Sequence, residues 1–136
     1  MRLKRQAEEF AEGITQTVRA VVGQECPEFK GDLLDDKGKF VVSQSQDVGI
    51  PLKIQGVTQF LITASYACTL DHEGRFLRVF DSRITFFYSP SGEGRSPLFR
   101  YDFLRPESSD IPAAHFIFTT RARSWGMARC RRWRLR

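Results

Sequence analysis

Apolar residues recur every three or four positions at the start of this chain and every second position through its middle. Between Arg2 and Val22, Leu3, Ala7, Phe10, Ile14, Val18 and Val21 fall on one side, opposite Arg5, Glu8, Glu9, Glu12, Gln16 and Arg19. That spacing predicts an amphipathic helix with its apolar stripe laid on a sheet. Gly23 and Pro27 supply the stop, and Gly13 weakens the helix by about 1 kcal/mol relative to alanine. Glu28 to Leu34 and Lys39 to Ser45 then flank the turn-forming cluster Asp35-Asp36-Lys37-Gly38, the pattern of a short hairpin. Ser43 to Gly56 is polar and holds Gly49, Pro51 and Gly56, so it reads as a loop or an irregular edge strand.

From Val57 to Phe118 the period is two. Phe60, Ile62, Ala64, Tyr66, Cys68 and Leu70 share one face of a strand that ends at the turn Asp71-His72-Glu73-Gly74. On the returning strand the apolar parity switches, since Leu77 and Val79 are odd whereas Ile84, Phe86 and Tyr88 are even. One extra residue moves a side-chain set to the other face, so a bulge is expected near Asp81 and Ser82. After the Pro90, Gly92 and Gly94 turn, Phe99, Tyr101 and Phe103 alternate again. A last strand places Ala114, Phe116 and Phe118 one way and His115 and Ile117 the other. The expected fold is α+β, an N-terminal amphipathic helix packed on a curved antiparallel meander of about five or six strands. Twelve phenylalanines indicate a bulky core, with room for a pocket if the sheet curls.

Composition changes this picture in one place. The 136 residues suit a single domain, and no apolar run is long enough to span a bilayer, so no membrane role and a cytoplasmic address are expected. The formal net charge of +5 comes from the C-terminal end: residues 121–136 hold seven of the 21 basic residues and no acid, leaving 14 basic against 16 acidic residues in 1–120. We therefore divide the chain into an α+β domain over 1–120 and a basic Arg/Trp tail over 121–136. Cys26, Cys68 and Cys130 are odd in number and lack metal-ligand spacing, which fits reduced thiols.

Candidate chemistry gathers on the later strands. Asp81, Arg83, Arg100 and Asp102 lie in adjacent strands and form cross-strand pairs if they share a face. His115 reads either as a hydrogen-bonded structural histidine or as a site residue, and His72 reads as a solvated turn residue. No phosphate-binding glycine loop and no serine nucleophile elbow is present.

The run Leu98-Phe99-Arg100-Tyr101-Asp102-Phe103, then Ser109-Asp110-Ile111-Pro112-Ala113-Ala114-His115, resembles an uncharacterised family of small actinobacterial proteins. Their shared pattern reads Phe-Arg-Tyr-(Asp/Glu)-aromatic, then Asp-Ile-Pro-x-Ala-His and further alternating histidines. The resemblance takes in Tyr66 to Asp71 and spans Leu52 to Phe116. It implies company with small helix-turn-helix regulators, hence a toxin–antitoxin-like or regulatory role.

The chain departs from that pattern after Phe116, where histidines are expected at Ile117 and Thr119. If one base is missing just after the Phe116 codon, codons permitted from Ile117 onward also read, one register back, as His-Phe-His-Asp-Ala-Gly-Glu. Three alternating histidines on one strand face bind a divalent metal or perform acid–base work, but this chain retains only His115, and neither a metal site nor a cofactor is assigned to it.

The functional expectation has three branches. The first is a non-enzymatic binding or regulatory protein acting through a protein partner. The second is a hydrolase or metal-dependent nuclease built on the histidine-bearing strand, with His115, Asp102 and Arg100 as catalytic residues. The third is nucleic-acid binding through Arg129, Arg131, Arg132, Trp133 and Arg134, by charge and indole stacking. We expect residues 117–136 to be wholly or partly an out-of-frame tail; a nucleotide sequence whose alternative register yields no His-x-His continuation would refute this.

Overall fold

The computed structural model describes residues 2–35, 38–105, 114–119 and 130–133, with the side chains of Thr119 and of 130–133 outside that description. One helix, α1 (Arg2–Val22), packs on an antiparallel sheet of β1 (Lys30–Leu33), β2 (Phe40–Ser43), β3 (Ile50–Ile54), β4 (Val57–Leu70), β5 (Leu77–Tyr88), β6 (Ser96–Leu104), β7 (Ala114–Thr119) and β8 (Cys130–Trp133). The order is β1-β2-β4-β5-β6-β7-β8, with β3 also on β4. The sheet is open and its later part is a meander, so the α+β expectation holds. The strands reach eight among the described residues because Ile50–Ile54 and Cys130–Trp133 also pair.

The helix is bound at the expected residues, but its buried stripe follows a row of i, i+4 positions. Leu3, Ala7, Ala11 and Thr15 are buried, with Phe10, Ile14, Val18 and Val22 packed beside them. Val21, expected on that side, is 82% exposed, and Val22 takes its place. Small residues let the helix come close, since a Cβ at Gly31 would lie 3.4 Å from that of Ala7. The hydroxyl of Thr15 donates to Ala11 O (2.8 Å) and accepts from Phe29 N (2.9 Å), which satisfies a buried group in both directions and pins the lead into β1.

β4 is the spine. Ala64 and Cys68 on its helix-facing side join the core with Phe29, Phe40, Val42 and Ile50. Both β2 and β3 pair with the same flank of β4, β2 at residues 65–68 and β3 at 57–62. The backbone at Ala64 falls in the break between them. Two side-chain amides fill it: Gln44 Oε1 accepts from Ala64 N (3.1 Å), and Gln46 Nε2 donates to Ala64 O (3.2 Å). Ser43–Gly56 is thus an edge segment whose strand, β3, holds Pro51, and proline is accommodated in a ladder only at an edge. The hairpin from β3 to β4 turns through Gln55 and Gly56, both at positive φ, the geometry of a type I′ turn.

The parity switch has the expected cause. Cys68 pairs with Val79 and Ala67 with Asp81, so Phe80 is the extra residue, one position before the expected site. A second bulge leaves Leu98 unpaired between Phe99 and Pro97. The bulges keep Leu77, Val79, Ser82, Ile84 and Phe86 on the helix side, in line with Phe99, Tyr101 and Phe103 of β6 and with Ala114, Phe116 and Phe118 of β7.

Replacing Gln44 by alanine strands the Ala64 amide in a buried position and should destabilise the fold by about 1–3 kcal/mol. Urea denaturation measures this; a loss below roughly 0.5 kcal/mol would mean that water serves Ala64 equally well.

Candidate functional site

Strand register brings the charged candidates together on the face away from the helix. Ser65 pairs with Arg83, Arg83 with Asp102, and Asp102 with His115, a polar row across four strands. The row continues through Ser43 to Lys30. Asp102 is its centre: its side chain is only 13% exposed, and charges approach from three sides. Arg100 Nε lies 2.9 Å from Oδ1 and donates a hydrogen bond to Oδ2 at 3.1 Å. Arg83 Nε lies 3.5 Å from Oδ1. His115 Nε2 is 3.9 Å from Oδ2, an electrostatic contact too long for a hydrogen bond.

Two atoms here are enclosed without an aligned hydrogen bond among the described residues, Asp102 Oδ1 and His115 Nδ1. For Oδ1 the arginine contacts supply the compensation, so the carboxylate is held by charge from both neighbours. His115 has no such compensation at Nδ1.

Of the residues expected to act together, Arg100, Asp102 and His115 form one cluster. Arg83, foreseen only as a cross-strand pair, belongs with them because it stands directly opposite Asp102. Its odd parity after the bulge was the signal. Asp81 stands between Ala67 and Leu104 and makes no ion pair with the cluster. A hollow of about 250 Å³ lies beside Arg83, lined by Leu34, Val41, Ser65, Ala67 and Asp81. Farther along this face Arg95 donates to Gln46 O (2.8 Å) and Asp47 O and lies over the Phe87 ring, strapping the turn before β6 to the segment before β3.

The helix-side face of the later strands has the opposite chemistry. Helix α1 packs from β1 to β5. Beyond it, ladders of uncharged residues run Ile62-Phe86-Phe99-Phe118 and Ala64-Ile84-Tyr101-Phe116. Phe86 and Phe99 are stacked at 4.4 Å, Tyr101 and Phe116 lie 5.0 Å apart, and Phe118 at the end is 42% exposed. Register sets Trp133 of β8 opposite Phe116 and Arg131 opposite Phe118.

The remaining candidates carry less. His72 is exposed in its turn, 4.0 Å from Glu73. Asp71 accepts from the amides of Arg75 (2.7 Å) and Phe76 (3.2 Å), and the Arg75 bond chiefly holds its carboxyl below the usual range. Burial pushes the Cys68 thiol up to about 11 and raises that of Cys26, so both are protonated, unreactive core residues at neutral pH. Among the tail candidates, Arg131, Arg132 and Trp133 lie in β8, whereas Arg129 and Arg134 lie outside the described residues. Among the described residues, no group of three His, Cys, Asp or Glu side chains could hold a metal ion, and no helix is long and apolar enough to cross a membrane.

Comparison with protein families, curated proteins and solved structures finds no match to this chain.

Proposed function

We propose that the chain is a binding or regulatory protein that acts through a protein partner, in a pair of the toxin–antitoxin kind. The observation that carries this reading is the uncharged aromatic surface of β6 and β7 beyond the reach of the helix, ending in the exposed Phe118 ring. Rigid aromatic side chains are the usual anchors of protein interfaces, because they bury large areas while losing few rotamers. The resemblance to small actinobacterial proteins points to the product of the adjacent gene as the partner. Co-expression with that product should yield a complex on size-exclusion chromatography. Phe118→Asp should weaken it at least about tenfold, near 1.4 kcal/mol, with an unchanged circular-dichroism spectrum. Failure of the neighbour to associate with the unaltered chain would overturn the reading.

One observation favours a second reading, a hydrolase or metal-dependent nuclease. His115 and Asp102 are cross-strand partners with the imidazole 3.9 Å from the carboxylate, the pairing of residue types that serves acid–base work once the contact shortens to a hydrogen bond. A version carrying the alternating histidines should then cleave nucleic acid with added divalent metal, and His115→Ala should abolish the cleavage. Inactivity of the histidine-bearing version over a range of metals would remove this reading.

A further inference from the structure

Asp102 touches Arg83 and Arg100 through the Nε edge of each guanidinium. A guanidinium has five N–H donors in a fixed fork. Beyond these contacts with Asp102, neither arginine has a further partner among the described residues. Within this contact group one negative charge stands against two positive ones, a net charge of +1, and the Asp81 carboxylate lines the adjoining hollow. Arg83 is 57% exposed and Arg100 35%, while the carboxylate that holds them is mostly shielded. The aspartate thus hydrogen-bonds one cationic fork, draws a second toward it from the adjacent strand, and leaves their outer edges unused.

We propose that this part of the outer face is a binding site for a phosphate group, with Arg83 and Arg100 as the contacting residues and Asp102 as the positioning residue. A tetrahedral phosphate presents separate oxygens to two forks at once and carries more negative charge than a carboxylate. Holding the guanidiniums in place beforehand removes part of the ordering cost of binding. The hollow beside Arg83 has room for what the phosphate is attached to, and its Ser65 is the cross-strand partner of Arg83. The ligand is therefore inorganic phosphate or a small phosphomonoester. The site is on the sheet face opposite the aromatic surface, so its test is independent of partner binding.

Isothermal titration of the full chain, at constant ionic strength, with inorganic phosphate, glycerol 1-phosphate and acetate tests the proposal. Phosphate should bind saturably with a Kd of roughly 1 mM or tighter. Arg83→Gln should weaken binding at least about tenfold, while Arg5→Gln, an equal loss of charge on the helix, should leave it unchanged. Asp102→Asn is the decisive variant: it makes the face more positive, so attraction by net charge alone predicts tighter binding, whereas loss of positioning predicts weaker binding. Thermal melts establish that each variant is folded, and Arg83→Gln keeps the test valid if Asp102→Asn is not. Tighter binding of glycerol 1-phosphate identifies an ester and tighter binding of phosphate a free ion, and either supports the site. No saturation by about 10 mM, equal losses in Arg5→Gln and Arg83→Gln, acetate binding as well as phosphate, or tighter binding by Asp102→Asn would each overturn it.

Discussion

The one-residue bulge at Phe80 governs what each side of the sheet presents. Side chains alternate strictly along a strand, so an insertion or deletion of one residue exchanges the two faces of everything that follows it. Downstream of Phe80, Ile84 and Phe86 face the helix side and Arg83 faces away. Without that bulge the aromatic ladders would point outward and the arginine inward, against an uncharged core. Burying a guanidinium there costs more than the local disturbance of one ladder bond. The bulge is therefore the arrangement that leaves both faces chemically consistent.

This segregation gives the later strands two unlike surfaces less than one side-chain length from a common backbone. One is uncharged and aromatic from β5 to β7; the other carries a carboxylate flanked by two arginines and a histidine. Helix α1 covers only the first part of the apolar side, which is why the same face serves as core near β4 and as surface near β7.

Much of this was legible in the residues themselves. The helix and the bulge follow from periodicity, because an apolar stripe and a parity switch leave marks in a one-dimensional pattern. Val21 lies off the buried stripe for a geometric reason: the helix contacts the sheet along one i, i+4 row, which carries the contact to Val22. The pairing of β3 beside β2 was not legible, since its junction depends on amides of Gln44 and Gln46 that resemble ordinary polar loop residues in sequence. Arg100, Asp102 and His115 were visible as a group; that Arg83 completes it depends on register, which sequence fixes only once the bulge is located to the residue.

Pro51 has a consequence for the molecule in a crowded solution. An edge strand offers unused amides and carbonyls to any other extended chain, the usual beginning of strand-by-strand aggregation. In β3 the edge that is unpaired among the described residues is interrupted at Pro51, whose nitrogen has no hydrogen to donate. A residue that makes the segment hard to recognise as a strand is thus also what keeps foreign strands from growing on that flank.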